Sequence, residues 1–316
     1  ELPVDRLACH EPSFARSGID YFGPLMVKQG KKTRSNPGTA KRYGALFTCM
    51  TTRAVHLELA GDMSTDSFLL AFRRFTSRRG YPKTVTSDNG SNFVGGEREL
   101  VECLKELDQK KISTELGKHQ IEWKFNPPLS PWMGGVFESL VKSTKRALKA
   151  VVKDRIFTEE ALQTFLTEVE STLNSRPLTT VSDDIDDYEA LTPNHFLLGR
   201  SSPNLPIAKI NDKDMSSRRR WKAVQAASNM FWKRWQKEYL PMLNRRQKWY
   251  HNTRCLKKGD LVIVTDNSMV RSHWPLGRIL TVYPGKDGVV RSVEVKTKSG
   301  TYIRPAASLA LLEEEN

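Results

Sequence analysis

Three short segments rich in β-branched and aromatic residues open the ordered part of this chain. Gly18 to Pro24, Lys41 to Thr52 and Ala54 to Ala60 are each punctuated by glycine, proline or charge, which predicts three strands. Residues 28 to 40 between the first two form a polar loop. The pattern then changes to alternation. Ser64 can cap a helix through about Arg79, with Phe68, Leu69, Phe72 and Phe75 on one face and Gly80 ending it. Lys83 to Ser87 predicts a fourth strand running into Asp88-Asn89-Gly90. Residues 97 to 117 predict a helix (Leu100, Val101, Leu104, Leu107), and Gln120 to Phe125 a fifth strand closed by Pro127-Pro128. A second long helix runs from Val136 to about Asp154. A third, capped by Thr158 with Glu159 and Glu160 in its first turn, reaches about Ser175. A strand meander followed by strands alternating with helices fits an α/β domain with a mixed five-stranded sheet and flanking helices.

The chain has 316 residues and a mass of 36.0 kDa, beyond the size at which one core keeps growing, so two or three units are expected. Residues 1–14 read as an N-terminal extension and 15–178 as the α/β core. Residues 179–214, irregular and acidic at Asp183, Asp184, Asp186 and Asp187, read as a connector, and 215–256 as a basic helical arm. Residues 257–316 alternate short strands with glycine turns (Asp260 to Val264, Gly277 to Tyr283, Val289 to Lys296, Thr301 to Arg304) and predict a small β-barrel.

Net charge is +14, and residues 207 to 258 hold fifteen Lys or Arg against Asp212, Asp214 and Glu238. Such a surplus argues for a polyanionic partner, nucleic acid first. Trp221, Phe231, Trp232, Trp235, Tyr239, Trp249 and Tyr250 are interleaved with Arg218-Arg219-Arg220, Lys233-Arg234 and Arg245-Arg246. Phosphate contact with stacking aromatics needs that mix. A long amphipathic helix with its aromatics against a core gives the same pattern and is the stronger reading for the rings, whereas phosphate contact is the stronger one for the charges. No run of about 18 apolar residues predicts a membrane span. The start lacks a signal core and an initiator Met, which reads as a soluble piece cut from a longer product. Cys9, Cys49, Cys103 and Cys255 stand far apart, so reduced thiols are expected, and Cys9-His10 reads as two ordinary residues.

Acidic side chains on rigid elements, converging on two divalent cations about 3.5–4 Å apart, make a phosphoryl-transfer site. Three positions suit it. Asp20 interrupts an otherwise burying strand, Asp88 sits where the fourth strand stops, at the carboxyl end that open α/β sheets use for their sites, and Glu138 lies in the first turn of the long helix. Glu58, in the third strand, is the best rival; Asp62, Glu97, Glu99, Glu102 and Asp108 read as solvated. In the long helix Phe137, Leu140, Val141, Thr144, Leu148, Val151 and Val152 keep the spacing of a buried stripe. Glu138, Lys142, Lys145, Arg146, Lys149 and Lys153 share the other side, either to hold a metal at one end and track a phosphate backbone, or as a solvated stripe.

Gly18-Ile19-Asp20-Tyr21-Phe22-Gly23-Pro24, Ser87-Asp88-Asn89-Gly90-Ser91-Asn92-Phe93 and Pro131-Trp132-Met133-Gly134-Gly135-Val136-Phe137-Glu138 resemble the three acidic blocks of retroviral-type integrases, whose core has the ribonuclease H fold. Asn174-Ser175-Arg176-Pro177-Leu178 and Leu191-Thr192-Pro193-Asn194-His195-Phe196-Leu197-Leu198-Gly199 resemble the blocks that follow the core in the BEL/Pao group of long-terminal-repeat retrotransposons. Trp274-Pro275-Leu276-Gly277-Arg278-Ile279 resembles part of that group's terminal SH3-like domain. The 49 residues between Asp88 and Glu138 exceed the usual retroviral spacing, with the extra length in the 97–119 region, as expected for BEL/Pao members. The amino-terminal zinc domain of integrases has no counterpart in these residues.

The resemblance implies that Asp20, Asp88 and Glu138 are catalytic and bind two Mg²⁺ (or Mn²⁺) ions per active site, for 3′-end processing of element DNA and its transfer into target DNA. It implies double-stranded DNA as partner, contacted by Asn89, Lys142, Lys145, Arg146, Lys149, Arg218, Arg219, Arg220, Lys233 and Arg234, with a homo-oligomer, a chromatin contact and no membrane. It places the protein in the nucleus after synthesis in the cytoplasm within a polyprotein. Two other readings share the fold: a host-domesticated, catalytically silent DNA- or chromatin-binding protein, and a nuclease acting on RNA in a hybrid duplex.

Overall fold

A computed structural model describes residues 10–30, 38–87, 114, 121–125, 135–153, 155–180, 189–201, 220–243, 256–265, 271–285 and 288–314. The chain divides into two compact units, Glu1–Leu173 with Ala208–Phe231, and Asn174–Ile207 with Trp232–Asn316.

The first unit is built on β1 (Arg16–Lys28), β2 (Thr39–Cys49) and β3 (Val55–Ala60), an antiparallel meander. Strands β4 (Thr84–Ser87) and β5 (Glu122–Phe125) extend the sheet in parallel, giving the order β3-β2-β1-β4-β5. This is the mixed five-stranded sheet that the hydrophobic pattern predicts. A two-residue strand, β6 (Phe157–Thr158), adds a parallel pairing to the far end of β1. β1 is longer than expected because its register shifts between Phe22 and Leu25, an irregularity that lets exposed Pro24 sit within a central strand.

Helix α1 (Thr65–Arg79) starts and stops where its capping residues dictate. The Ser64 hydroxyl accepts from the Ser67 N–H, and Gly80 ends the helix at φ 86°, with its N–H bonded to the Thr76 carbonyl. Phe68, Phe72 and Phe75 are buried, and Phe75 stacks on Phe47 of β2 at 4.1 Å between centroids. Truncating either ring of that pair would cost about 3–5 kcal/mol. Helix α2 (Gly135–Val152) precedes β6, and α3 (Glu159–Asn174) follows it, with the Thr158 hydroxyl accepting from the Ala161 N–H. The helix expected over residues 97–117 lies outside the described residues except at Thr114, which is helical.

In the second unit, the stretch read as an irregular connector carries a ribbon of β7 (Thr179–Thr180) and β8 (Ala190–Leu191), followed by α4 (Pro193–Leu198). The tail forms β9 (Leu261–Val264), β10 (Leu276–Pro284), β11 (Val290–Thr297), β12 (Gly300–Pro305) and β13 (Leu309–Glu313). They make an antiparallel sheet ordered β12-β11-β10-β9-β13. Among the described residues β12 and β13 are the two ends of that order. Val262, Val264, Ile279, Val293, Val295 and Leu309 form one core cluster, and Ile263, Leu276, Ala310 and Ala190 another. Gly277 has a packing reason to lack a side chain, since a Cβ there would lie 2.2 Å from Val295 Cγ1.

Helix α5 (Arg220–Leu243) contributes to both units, through Phe231 to the first and from Trp232 to the second. Among the described residues no helix is long and apolar enough to cross a membrane.

Candidate active site

Asp20 stands mid-strand in β1, between Ile19 at 3% and Tyr21 at 5% relative exposure. Its side chain keeps 18% of its surface in solvent, so the strand lifts one carboxylate out of an otherwise closed layer. In register, Asp20 pairs with Leu46 of β2, which pairs with Leu57 of β3. Cross-strand partners share a face, which therefore holds Asp20, Leu46 and Leu57. On the β4 side, Ile19 pairs with Ser87. The residues next in sequence after that pair are Asp20 and Asp88.

Helix α2 brings charge to this face. Leu140, Val141, Thr144, Leu148, Val151 and Val152 are buried, as the periodicity predicts, and Ala147 and Ser143 widen the buried face. Lys142, Arg146, Lys149 and Lys153 are exposed. Lys145 departs from that row: its Nζ lies 2.6 Å from Asp20 Oδ1, with 17% of its side chain exposed. Glu138 occupies the first turn of α2, seven positions before Lys145 on the same helical row, a rise of about 10 Å. Its side chain, together with Asp88 and Asn89, lies outside the described residues, as do Arg218 and Arg219. Among the described residues no group of three or more His, Cys, Asp or Glu could hold a metal. Asp20 itself fits a cation, because it already holds the Lys145 ammonium.

Glu58, the rival ligand, is excluded by register. It pairs with Ala45, which pairs with Tyr21, so it faces the opposite side of the sheet from Asp20. There it is fully buried, at 0% exposure. Arg74 Nε and Arg78 Nη1 each donate to it at 2.7 Å, and His56 Nε2 lies 3.1 Å away. Burial alone would raise the Glu58 pKa; the hydrogen bonds with His56 and Arg74 and the charges of His56 and Arg78 bring it below the ordinary carboxylate value. Sequence reasoning missed the rest of this cluster. Glu170 of α3 accepts from the Leu57 N–H at 2.8 Å, lies 3.2 Å from His56 Nδ1 and is ion-paired with Arg79. A His two residues before a Glu in one strand is the only local signal. Glu170 also covers an outward N–H of the edge strand β3, which would otherwise be a template for foreign strands.

Of the downstream blocks the first is buried, whereas the second is buried at Thr192, Pro193 and Asn194 but exposes Phe196 and Leu198. Asn174, Ser175 and Arg176 are at 2–4% exposure, and Arg176 hydrogen-bonds the buried Tyr239 hydroxyl, whose pKa burial raises. The Thr192 hydroxyl and His195 close a capping box at the start of α4. Trp274 packs edge-on against Trp232 at 4.7 Å and Trp235 at 5.8 Å between centroids, so these rings of the basic segment pack in a core. Trp221 is exposed, at 54%. Of the charges expected to meet DNA, Lys233 is exposed, Arg220 pairs with Glu160 at 3.0 Å, and Arg234 pairs with Glu238 at 3.1 Å. Pairs this exposed hold their charges loosely.

Residues 219–312, less than half the chain, match the model of a family of unknown function (DUF5641). No curated protein matches the sequence. Among solved structures, the chain is similar to a component of the simian T-cell lymphotropic virus intasome in complex with PP2A regulatory subunit B56 gamma. That match has 12% identity, covers 96% of this chain and 81% of that one, and has a TM-score of 0.36. It is also similar to the catalytic core domain of BIV integrase, at 15% identity, over 59% of this chain and 95% of that one, with a TM-score of 0.36.

Proposed function

We infer that the chain is a retroviral-type integrase of the BEL/Pao retrotransposon kind, catalysing metal-dependent 3′-end processing and strand transfer of element DNA into target DNA. The observation that carries this reading is Asp20: a partly exposed carboxylate on the central strand of a sheet ordered β3-β2-β1-β4-β5, holding a cation from a helix with a basic outer row. The strand order suits a ribonuclease H-like core. The β1–β4 register, ending at Ile19 and Ser87, supports Asp88 as the second acid, and the position of Glu138 on the Lys145 row supports it as the third. Two Mg²⁺ or Mn²⁺ ions held by these acids would lower the pKa of the attacking hydroxyl and stabilise the leaving oxygen. Lys142, Arg146 and Lys149 then position phosphates, with Asn89 and the basic residues Arg218, Arg219, Arg220, Lys233 and Arg234 as further contacts. The antiparallel tail sheet takes the role of an SH3-like domain. Duplex DNA, a homo-oligomer and chromatin are the partners, and the nucleus is the place of action.

Incubating the chain with an end-labelled duplex in Mg²⁺ or Mn²⁺ tests this. The expected result is metal-dependent nicking near a 3′ end that Asp20→Asn abolishes. Duplex binding without nicking under any divalent cation would transfer the assignment to a catalytically silent DNA-binding protein.

A further inference from the structure

Resting on the reading of Asp20 as a metal ligand, we propose that Lys145 is a built-in counter-cation of the site. It neutralises Asp20 in the absence of metal, competes with the incoming divalent ion, and is then handed to substrate phosphate, so that metal and DNA bind cooperatively. The Nζ–Oδ1 separation of 2.6 Å is that of a direct ion pair. Both side chains are sheltered, at 17% and 18% exposure, and the sheet face that Asp20 shares holds the buried Leu46 and Leu57, so an uncompensated carboxylate there would be costly. Lysine suits a releasable partner: it is a point charge on a flexible stem, whereas a guanidinium fork binds a carboxylate in a fixed geometry.

Where the ammonium goes on release is set by the helix. Lys142 and Lys149 lie one turn to either side of Lys145, and Arg146 is adjacent, all three exposed, so a released Nζ joins an existing row of cations. A divalent ion that takes the Asp20 oxygen therefore adds a phosphate-binding charge to that row. By linkage, DNA that holds the ammonium favours the ion by the same factor.

Mn²⁺ titration of the full chain, with free ion read by electron paramagnetic resonance, tests this with and without a short blunt-ended duplex. Lys145→Met should bind Mn²⁺ about three- to tenfold tighter than wild type without DNA, and Lys145→Gln should do the same. The duplex should tighten Mn²⁺ binding in wild type and not in either variant. If both variants bind Mn²⁺ no tighter than wild type while Asp20→Asn loses binding, the proposal is overturned and the metal-site reading stands. If Asp20→Asn binds Mn²⁺ as wild type does, the metal-site reading itself falls, and this proposal with it.

Discussion

One sheet carries a strand carboxylate on each of its faces, and the two do opposite things. Glu58 is fully buried and clamped by Arg74, Arg78 and His56. Asp20, two strands away and one position out of that register, is partly open and holds the end of a flexible lysine. The guanidinium forks fix both Glu58 oxygens, Oε1 to Arg78 and Oε2 to Arg74, so that charge is committed to tying β3 to α1. A carboxylate meant to bind and release ions needs a partner that can leave. Exposure and the stiffness of the partner separate an acid that holds the fold from one that can do chemistry.

The sharpest way to break this contrast is to remove each charge without removing volume. Asp20→Asn should lower DNA nicking about a thousandfold, since metal-borne charge stabilisation is worth several kcal/mol, with an unchanged circular dichroism spectrum. Nicking within tenfold of wild type would merge the two acids into one structural class.

Glu58→Gln should do the reverse, costing about 3 kcal/mol in urea denaturation by leaving Arg74, Arg78 and His56 without their counter-charge. Its nicking rate per folded molecule should hold. Equal losses of stability in Asp20→Asn and Glu58→Gln would erase the distinction.

The buried cluster should also give stability a pH profile. Burial would lower the His56 pKa, but hydrogen bonds with Glu170 and Glu58 raise it above the ordinary 6.5. Its stabilisation is therefore complete below that value and fades as pH rises through the folded one. Glu58 and Glu170 are lowered from 4.5, so theirs is complete above that value and is lost as pH falls through the folded ones. Arg74, Arg78 and Arg79 face them from α1. The cluster contributes most between about pH 4.5 and 6.5. His56→Gln should flatten the alkaline side by about 1 kcal/mol, checked by denaturation on either side of that window.

On the Asp20 face, the smallest effect separates Lys142 from Lys153. Lys142→Glu should lower the slope of log K against log salt for duplex binding by about 1, and Lys153→Glu by less. Lys142 is one turn from Glu138 and Lys153 is about four. Equal slopes would mark the row as diffuse rather than aimed at the site.

Much of this face could be read from the chain alone. Asp20 betrays itself as a charge in an apolar strand, Ser64 and Gly80 bound α1, and the apolar stripe of α2 from Leu140 onward is buried where its period puts it. Pairings of two residues, such as β6 and β7–β8, carry no alternation to detect, and Leu309-Ala310-Leu311-Leu312-Glu313 has no strand period. The role of Glu58 was illegible for a different reason. Which face a strand residue takes depends on register with β2 and β1, a non-local property, and the Lys145–Asp20 pair depends on how α2 crosses β1. Trp232 and Trp235 of the basic segment needed Trp274, some forty positions further on, to show that they pack.

Helix α5 carries a consequence for the order in which the protein can be made. The first unit includes Ala208–Phe231, and Phe231 packs edge-on against Phe165 of α3 with centroids 6.5 Å apart. Val224, Ala226 and Ala227 are buried in the same stretch. During synthesis the residues through Leu173 leave the ribosome with that side of α3 still uncovered. Thirty-four residues belonging to the other unit, Asn174–Ile207, must emerge before the covering helix arrives. A nascent chain released in that interval exposes Phe165 and its neighbours, the kind of apolar surface that chaperones bind. A stop codon placed just before Ala208 would make that exposure permanent.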